Sequence, residues 1–293
     1  MNVGDDSEEA RRHGGVTRAH WPGEGQALCG KACVVVVPRG TLAPMRLRGL
    51  LILILIGLTS SVRAEEADIL ARIHVEAIGG TFRLGLLNSL QTTGYVYIDE
   101  RRLEFTLLAQ RPNRILMETR WGDNYSVQGT DGVAPPWQIN PKANPPTPSS
   151  ITDRAEREFS ADAEFDDPLV NPAARGYELD YAGEVEWAGR KSFRILVTRR
   201  HVDSYHLIVD AETYFITGKE SVRTTEFGRE VPLRTLYEDF RPVAGVIMPH
   251  RILVTADGKQ LHKTILLKVE PNAPVPPGSF ERPATPAQRP PTR

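Results

Sequence analysis

From Thr93 to Glu270, apolar and polar positions alternate with a period of two over short stretches separated by turn residues. That pattern predicts strands, because successive side chains of an extended chain point to opposite faces. The first set is Thr93–Glu100, Arg102–Gln110, Arg114–Trp121, Tyr125–Gln128 and Trp137–Asn140. The second is Tyr177–Tyr181, Glu184–Ala188, Ser192–Arg199, Tyr205–Asp210, Tyr214–Val222, Arg234–Phe240, Val246–Val254 and Lys263–Glu270. Breaks such as Asp99-Glu100-Arg101 and Arg111-Pro112-Asn113 are short enough for hairpins, so neighbouring strands should pair antiparallel.

Three stretches have a helical period instead. Over Glu65–Ile78, Ile69, Leu70, Ile73 and Ala77 make one apolar stripe, acidic residues sit at the positive end, and Gly79-Gly80 stops the helix. A second piece is expected over Thr81–Leu90 with Phe82, Leu86, Leu87 and Leu90 inward. After a Pro-rich connection (Pro141–Ser150), Ile151–Arg175 turns helical: Thr152 can cap, Ala155, Phe159 and Ala163 share a face, and Asp166-Asp167-Pro168 breaks it. Many of the strands have one apolar face, as with Ile115 and Met117 against Arg114 and Glu118. That face has to be covered, and with few helical residues available the sheet should curve strongly around them. Such a sheet either encloses an apolar cavity or fills its hollow with its own side chains; the pattern leaves both open.

The start of the chain carries a different signal. Met45-Arg46-Leu47-Arg48 is a short basic region, Gly49 to Leu58 is almost wholly apolar, and Val62-Arg63-Ala64 places modest or small residues where a signal peptidase reads. This is the three-part pattern of a secretory leader, and the apolar run falls short of the roughly 20 residues of a membrane span. The expected organisation is an upstream extension over 1–44, a signal peptide over 45–64, one domain over 65–283 and a Pro-rich disordered tail over 284–293. Met45 would then be the true start. Both cysteines, Cys29 and Cys33, precede the cleavage point, so the exported chain would have no disulfide, no thiol nucleophile and no lipid-attachment cysteine. It would be a soluble periplasmic protein, without a lipid anchor.

Composition excludes more than it assigns. The 293 residues are 40% hydrophobic and 25% charged with a formal net charge of -1, ordinary for a globular protein and with no basic field for nucleic acid. The histidines that follow the leader, His74, His201, His206, His250 and His262, form no spaced metal signature. Ser149-Ser150 lacks a nucleophile-elbow context, and no Gly-rich phosphate loop follows a strand. Positive evidence for an enzyme is absent, and neither metal nor cofactor is expected.

In sequence order, a series of local motifs resembles the periplasmic lipoprotein carriers of the LolA type and their outer-membrane lipoprotein-sorting relatives. A helix ending Glu76-Ala77-Ile78-Gly79-Gly80 precedes Leu87-Asn88-Ser89-Leu90-Gln91-Thr92-Thr93-Gly94. Gln110 to Glu118 is similar to the family's Pro-Arg-acidic strand, and Thr130-Asp131-Gly132 with Trp137 to its Asp-Gly…Trp hairpin. Phe165 to Val170 stands where relatives have a lid helix, and Gly189 to Ile195 and Ile208 to Tyr214 resemble the central hairpins. Tyr237 to His250 is the most diagnostic stretch, and Asn272 to Pro283 resembles the closing segment. The resemblance implies a mainly β fold: a curved antiparallel half-barrel with a helical lid over a hydrophobic cavity. It also implies a chaperone role, carrying acylated lipoprotein or another lipidated ligand toward the outer membrane. The alternative is a periplasmic lipid or lipoprotein sensor that signals to a membrane partner. Candidate cavity walls are Leu103, Phe105, Leu107, Ile115, Met117, Trp137, Phe193, Ile195 and Val197, with Phe159 and Leu169 from the lid; for each, plain core packing is the competing role. Arg114 is a candidate latch that would hydrogen-bond helix carbonyls, or else a solvated strand arginine. The implied partners are an inner-membrane releasing complex and an outer-membrane acceptor, with the carrier itself a monomer.

Overall fold

The computed structural model describes residues 63–140, 146–199, 202–224 and 229–284. The upstream extension and almost all of the expected leader and of the Pro-rich tail lie outside them; the last two leader positions, Arg63 and Ala64, fall in the first helix. Residues 63–77 form helix α1, followed by α2 (Gly80–Leu86). Six strands come next: β1 (Ser89–Ile98), β2 (Arg101–Gln110), β3 (Arg114–Trp121), β4 (Asn124–Thr130), β5 (Trp137–Ile139) and β6 (Pro148–Ser150). Helix α3 (Asp153–Asp162) leads to β7 (Tyr177–Trp187), β8 (Arg190–Arg199), β9 (Asp203–Asp210), β10 (Ile216–Thr224), β11 (Glu230–Val243), β12 (Val246–Ala256) and β13 (Lys259–Pro271).

All thirteen strands form one antiparallel sheet in the order β6-β5-β4-β3-β2-β1-β13-β12-β11-β10-β9-β8-β7. The chain winds outward from β1 to β6, crosses the width of the sheet, and winds back inward until β13 pairs with β1. β6 and β7 are free edges, so the curved sheet stays unclosed. The crossing is made by α3 and residues 163–176, and this connection must therefore run over one face. None of the described helices is long and apolar enough to cross a membrane.

Several local expectations are corrected by packing. The buried stripe of α1 is Ala67, Leu70, Ala71, His74, Val75 and Ile78, whereas Ile69 (40%) and Ile73 (37%) are exposed. Small side chains at Ala67 and Ala71 allow the helix to lie close on Ile195, Val197 and Val209, in one core cluster with Leu169, Tyr177, Leu179, Tyr205 and Leu207. In α2 only Gly80 and Leu84 are buried; Phe82 (77%) and Leu86 (54%) face outward. The bend between the two helices needs glycine: Gly79 has a φ of 133°, and a Cβ there would lie 2.5 Å from the Gly245 carbonyl. Beside it the Ile247 amide donates to the Ile78 carbonyl (2.8 Å), tying α1 to β12.

The expected third helix ends at Asp162, buries no residue, and has no side-chain cap from Thr152. Tyr177–Trp187 is one strand with an irregularity between Tyr181 and Glu184, rather than two strands. β6 forms inside the Pro-rich connection, at a sheet edge, where proline's missing N–H is tolerated.

Candidate functional site

Register across the sheet defines its inner face. Ile195 pairs with Leu207, Leu207 with Lys219, Lys219 with Thr235, Tyr237 with Ile252, Ile252 with Thr264, Thr264 with Val96 and Val96 with Leu103. Beneath the 161–168 crossing, the β7–β12 part of this face and the C-terminal end of α1 enclose a cavity of ≈ 490 Å³. That is within the usual range of small-molecule sites, about 300–1,000 Å³.

The cavity has two poles. Ile78 from α1, Phe165 from the crossing, and Phe240, Ile247, Pro249 and Ile252 from β11 and β12 make the apolar one. Tyr177, Arg199, Tyr205 and Lys219 from β7–β10, with Asp162 from the end of α3, make the polar one. Arg199 is held by Asp203 through two hydrogen bonds of 2.6 Å and lies over the Tyr205 ring at 5.3 Å. Its Nη1 is also 3.8 Å from the Asp162 carboxylate. Lys219 Nζ sits over the other side-chain neighbour of this pole, the Tyr205 ring, at 4.3 Å, and burial holds its pKa below the ordinary lysine value. Burial pushes the phenols of Tyr177 and Tyr237 up to about 12, so both are neutral O–H groups near pH 7.

The 164–170 segment is held from two sides by arginines. Arg111, in the β2–β3 turn, donates from Nε to the Leu87 carbonyl (2.6 Å) and from Nη2 to the Leu84 carbonyl (2.7 Å). Its Nη1 pairs with Asp166, and its guanidinium lies over the Phe165 ring at 4.7 Å. The Phe165 amide donates to the neighbouring Pro112 carbonyl (2.9 Å). From the other side Arg175 gathers the carbonyls of Asp166 (2.8 Å), Asp167 (2.6 Å) and Val170 (3.1 Å) and pairs with Glu164. A third tie is His74, with Nδ1 2.7 Å from the Tyr214 carbonyl and Nε2 3.2 Å from Asp167. Burial alone would lower the His74 pKa. The hydrogen bond and charge of Asp167, joined by the Tyr214 carbonyl, outweigh it and hold the imidazole above its ordinary value.

None of the twelve residues singled out from sequence lines this cavity. By register, eight of the nine wall candidates share its face of the sheet. Leu107 lies opposite Met117, Phe105 opposite Thr119, and Ile115 and Leu103 follow on the same sides of β3 and β2. These five of the nine wall candidates, Met117 included, lie on β2 and β3, away from the cavity. Ile195 and Val197 are packed in the core under α1 with Leu169, and Phe193 packs against that cluster. Trp137 is on the opposite face, opposite Gly129, which pairs with Leu116. There it packs with Tyr125 and Ile139 and donates from Nε1 to the Phe280 carbonyl (3.0 Å) of the closing segment. Phe159 is half-buried on α3. Arg114 reaches Gln110 at 3.5 Å; the arginine that binds helix carbonyls is Arg111, three positions earlier.

The lining residues were hidden by departures from regular alternation. A register shift between Ile216 and Gly218 puts both Ile216 and Lys219 in the cavity. A φ of 56° at Asp239 does the same for Tyr237 and Phe240. His74 had a readable signal: it falls at helical spacing within the Leu70, Ala71 and Ile78 stripe.

No family model matches the chain, and no curated protein matches it in sequence. Solved structures match it in fold. A DUF1329 family protein from Desulfovibrio piger is 9% identical, with a TM-score of 0.53 over 75% of this chain and 97% of that one. A putative outer membrane lipoprotein-sorting protein domain from Vibrio parahaemolyticus is 11% identical, with a TM-score of 0.51 over 74% of this chain and 97% of that one. A LolA superfamily protein from Nitrosomonas europaea is 13% identical, with a TM-score of 0.48 over 75% and 96%. At such identities the likeness is one of architecture: this chain has the fold of the DUF1329 and lipoprotein-sorting structures, the fold that its motifs resemble.

Proposed function

We propose that this protein is a periplasmic carrier that shields the acyl part of a lipoprotein, or of another lipidated ligand, while it crosses an aqueous compartment. The observation that carries this reading is the cavity itself: an apolar pole of Ile78, Phe165, Phe240, Ile247 and Ile252 under a segment that Arg111 and Arg175 tie down over residues 164–167 and that Leu169 and Val170 anchor in the core beyond. Each methylene withdrawn from water contributes about 0.8 kcal/mol, so an acyl chain of ordinary length involves on the order of 10 kcal/mol. A carrier supplies that shelter without chemistry, and it must also open. The ties made by Arg111 and Arg175 can be broken and remade, which suits loading and release. Leu103, Phe105, Leu107, Ile115 and Met117, most of them half-buried on the same face, would extend the wall once the segment lifts. The apolar run over 49–58 with its basic flank would deliver the chain to the periplasm.

The test is direct binding of a synthetic diacylated lipopeptide to the delipidated protein. One lipopeptide should bind per chain. Arg111→Leu should load it several-fold faster and raise hydrogen exchange over residues 163–168, because it loses two carbonyl bonds and the Asp166 pair. If neither lipopeptide nor any other acylated probe binds, the carrier reading is wrong.

A further inference from the structure

We propose that the cavity is built for an amphiphile with an anionic head, and that Lys219 receives that head while the tail lies against Phe240, Ile247 and Ile252. The inference rests on the acyl-carrier reading and adds the chemistry of the ligand's polar end.

Lys219 stands on the inner face in the pairing row Ile195–Leu207–Lys219–Thr235–Val254, where its neighbours are mostly apolar. Among the described residues no carboxylate lies within 4.0 Å of its Nζ and it makes no hydrogen bond; the Tyr205 ring lies against it, and Asp162, followed by Asp203 and Glu158, acts on its charge only from a longer distance. The other cations around the cavity are committed: Arg199 to Asp203, Arg175 to Glu164, and Arg111 to Asp166. A cation on a covered sheet face without an acceptor is costly, and its cost is relieved by an anion that brings one. Of the two neutral phenols at this pole, Tyr177 is already hydrogen-bonded to Glu164, and Tyr237, on the neighbouring strand, is the O–H donor left for such an anion. The apolar pole begins on the next two strands, so an anion at Lys219 leaves its tail pointing over β11 and β12.

Asp162 completes the device. As the last residue of α3 it brings a carboxylate into this pole, 3.8 Å from Arg199. It is the lid's own anion, and an incoming head would compete with it. A ligand's charge would thereby act on the helix that crosses the mouth of the cavity.

The shared chemistry is a carboxylate or phosphate on an alkyl tail, and a probe series separates the two. Binding of palmitate, lysophosphatidic acid and palmityl alcohol to the delipidated wild-type protein is measured by calorimetry. Palmitate or lysophosphatidic acid should bind about tenfold more tightly than palmityl alcohol, the scale of one charge-assisted hydrogen bond. Whichever anion binds better identifies the head. In Lys219→Met the ratio of palmitate to palmityl alcohol affinity should fall to about one, and in Asp162→Asn palmitate should bind several-fold more tightly. The wild-type comparison needs no variant to fold. If palmityl alcohol matches both anions in the wild type, the anionic-head inference is overturned while the carrier reading stands. If nothing with a long tail binds, the carrier reading falls first.

Discussion

His74 shows how one side chain can tie three elements and make the tie depend on pH. Both ring nitrogens face acceptors, the Tyr214 carbonyl and Asp167, an arrangement that an imidazolium satisfies fully and a neutral ring does not. Its folded pKa is raised above 6.5, so its contribution to stability is complete below the unfolded value and is lost as pH rises through the folded one. Unfolding of the wild type and of His74→Gln by urea, compared at about pH 5.5 and about pH 8.5, should show the variant's deficit to be larger at the lower pH. An equal deficit at both values would mean that the ring is neutral in the folded protein. Asp210 runs in the opposite direction. It is buried, which would raise its pKa, but the Thr213 amide and hydroxyl, the Glu212 amide and the Arg190 charge hold it below the usual carboxylate value. Its contribution is present above the unfolded pKa and disappears as pH falls through the folded one. At this scale the sequence set the histidines aside and singled out Arg114 as the latch, whereas Arg111 makes the carbonyl bonds, because the two are equally plausible donors until the β2–β3 turn orients one of them toward α2.

At the scale of elements, helix α1 separates what periodicity reports from what packing chooses. The stripe of Ile69, Leu70, Ile73 and Ala77 is the more hydrophobic, yet the helix is rotated so that Ala67 and Ala71 meet the sheet. Close approach over Ile195, Val197 and Val209 demands small residues there, and hydrophobicity alone does not register that demand. Ala71→Leu should therefore cost about 1–3 kcal/mol by overpacking. Ile73→Ala, on the exposed side, should stay within about 0.5 kcal/mol. Chemical denaturation of the two variants checks this, and the reverse ranking would mean that α1 sits in the rotation its hydrophobic stripe suggests. Strand assignments were more legible: β2 and β3 were placed within a residue, since alternation reports a half-buried strand directly. β6 was not, because an edge strand of three residues beside prolines carries no period to read.

At the scale of the whole molecule the cavity follows from an imbalance: thirteen strands present one inner face, and α1, α3 and the 163–176 crossing cannot cover all of it. Filling the apolar pole should remove binding without removing the fold. Ile252→Trp is expected to weaken lipopeptide or palmitate binding at least about tenfold while changing stability by roughly 1 kcal/mol or less, because the added ring enters free space rather than a packed core. Unchanged binding in a folded Ile252→Trp protein would place the ligand elsewhere. The sequence by itself determined the alternation that makes strands, the turns that pair them antiparallel and the shortage of helix, because these depend on neighbours along the chain. Only the tertiary structure decided which side of α1 is buried, that Lys219 and Tyr237 reach the same hollow as Phe240, and that Trp137 faces away from it. Those outcomes depend on a register shift, a positive φ and the close approach of distant segments, which bring together residues whose local patterns carry no record of one another.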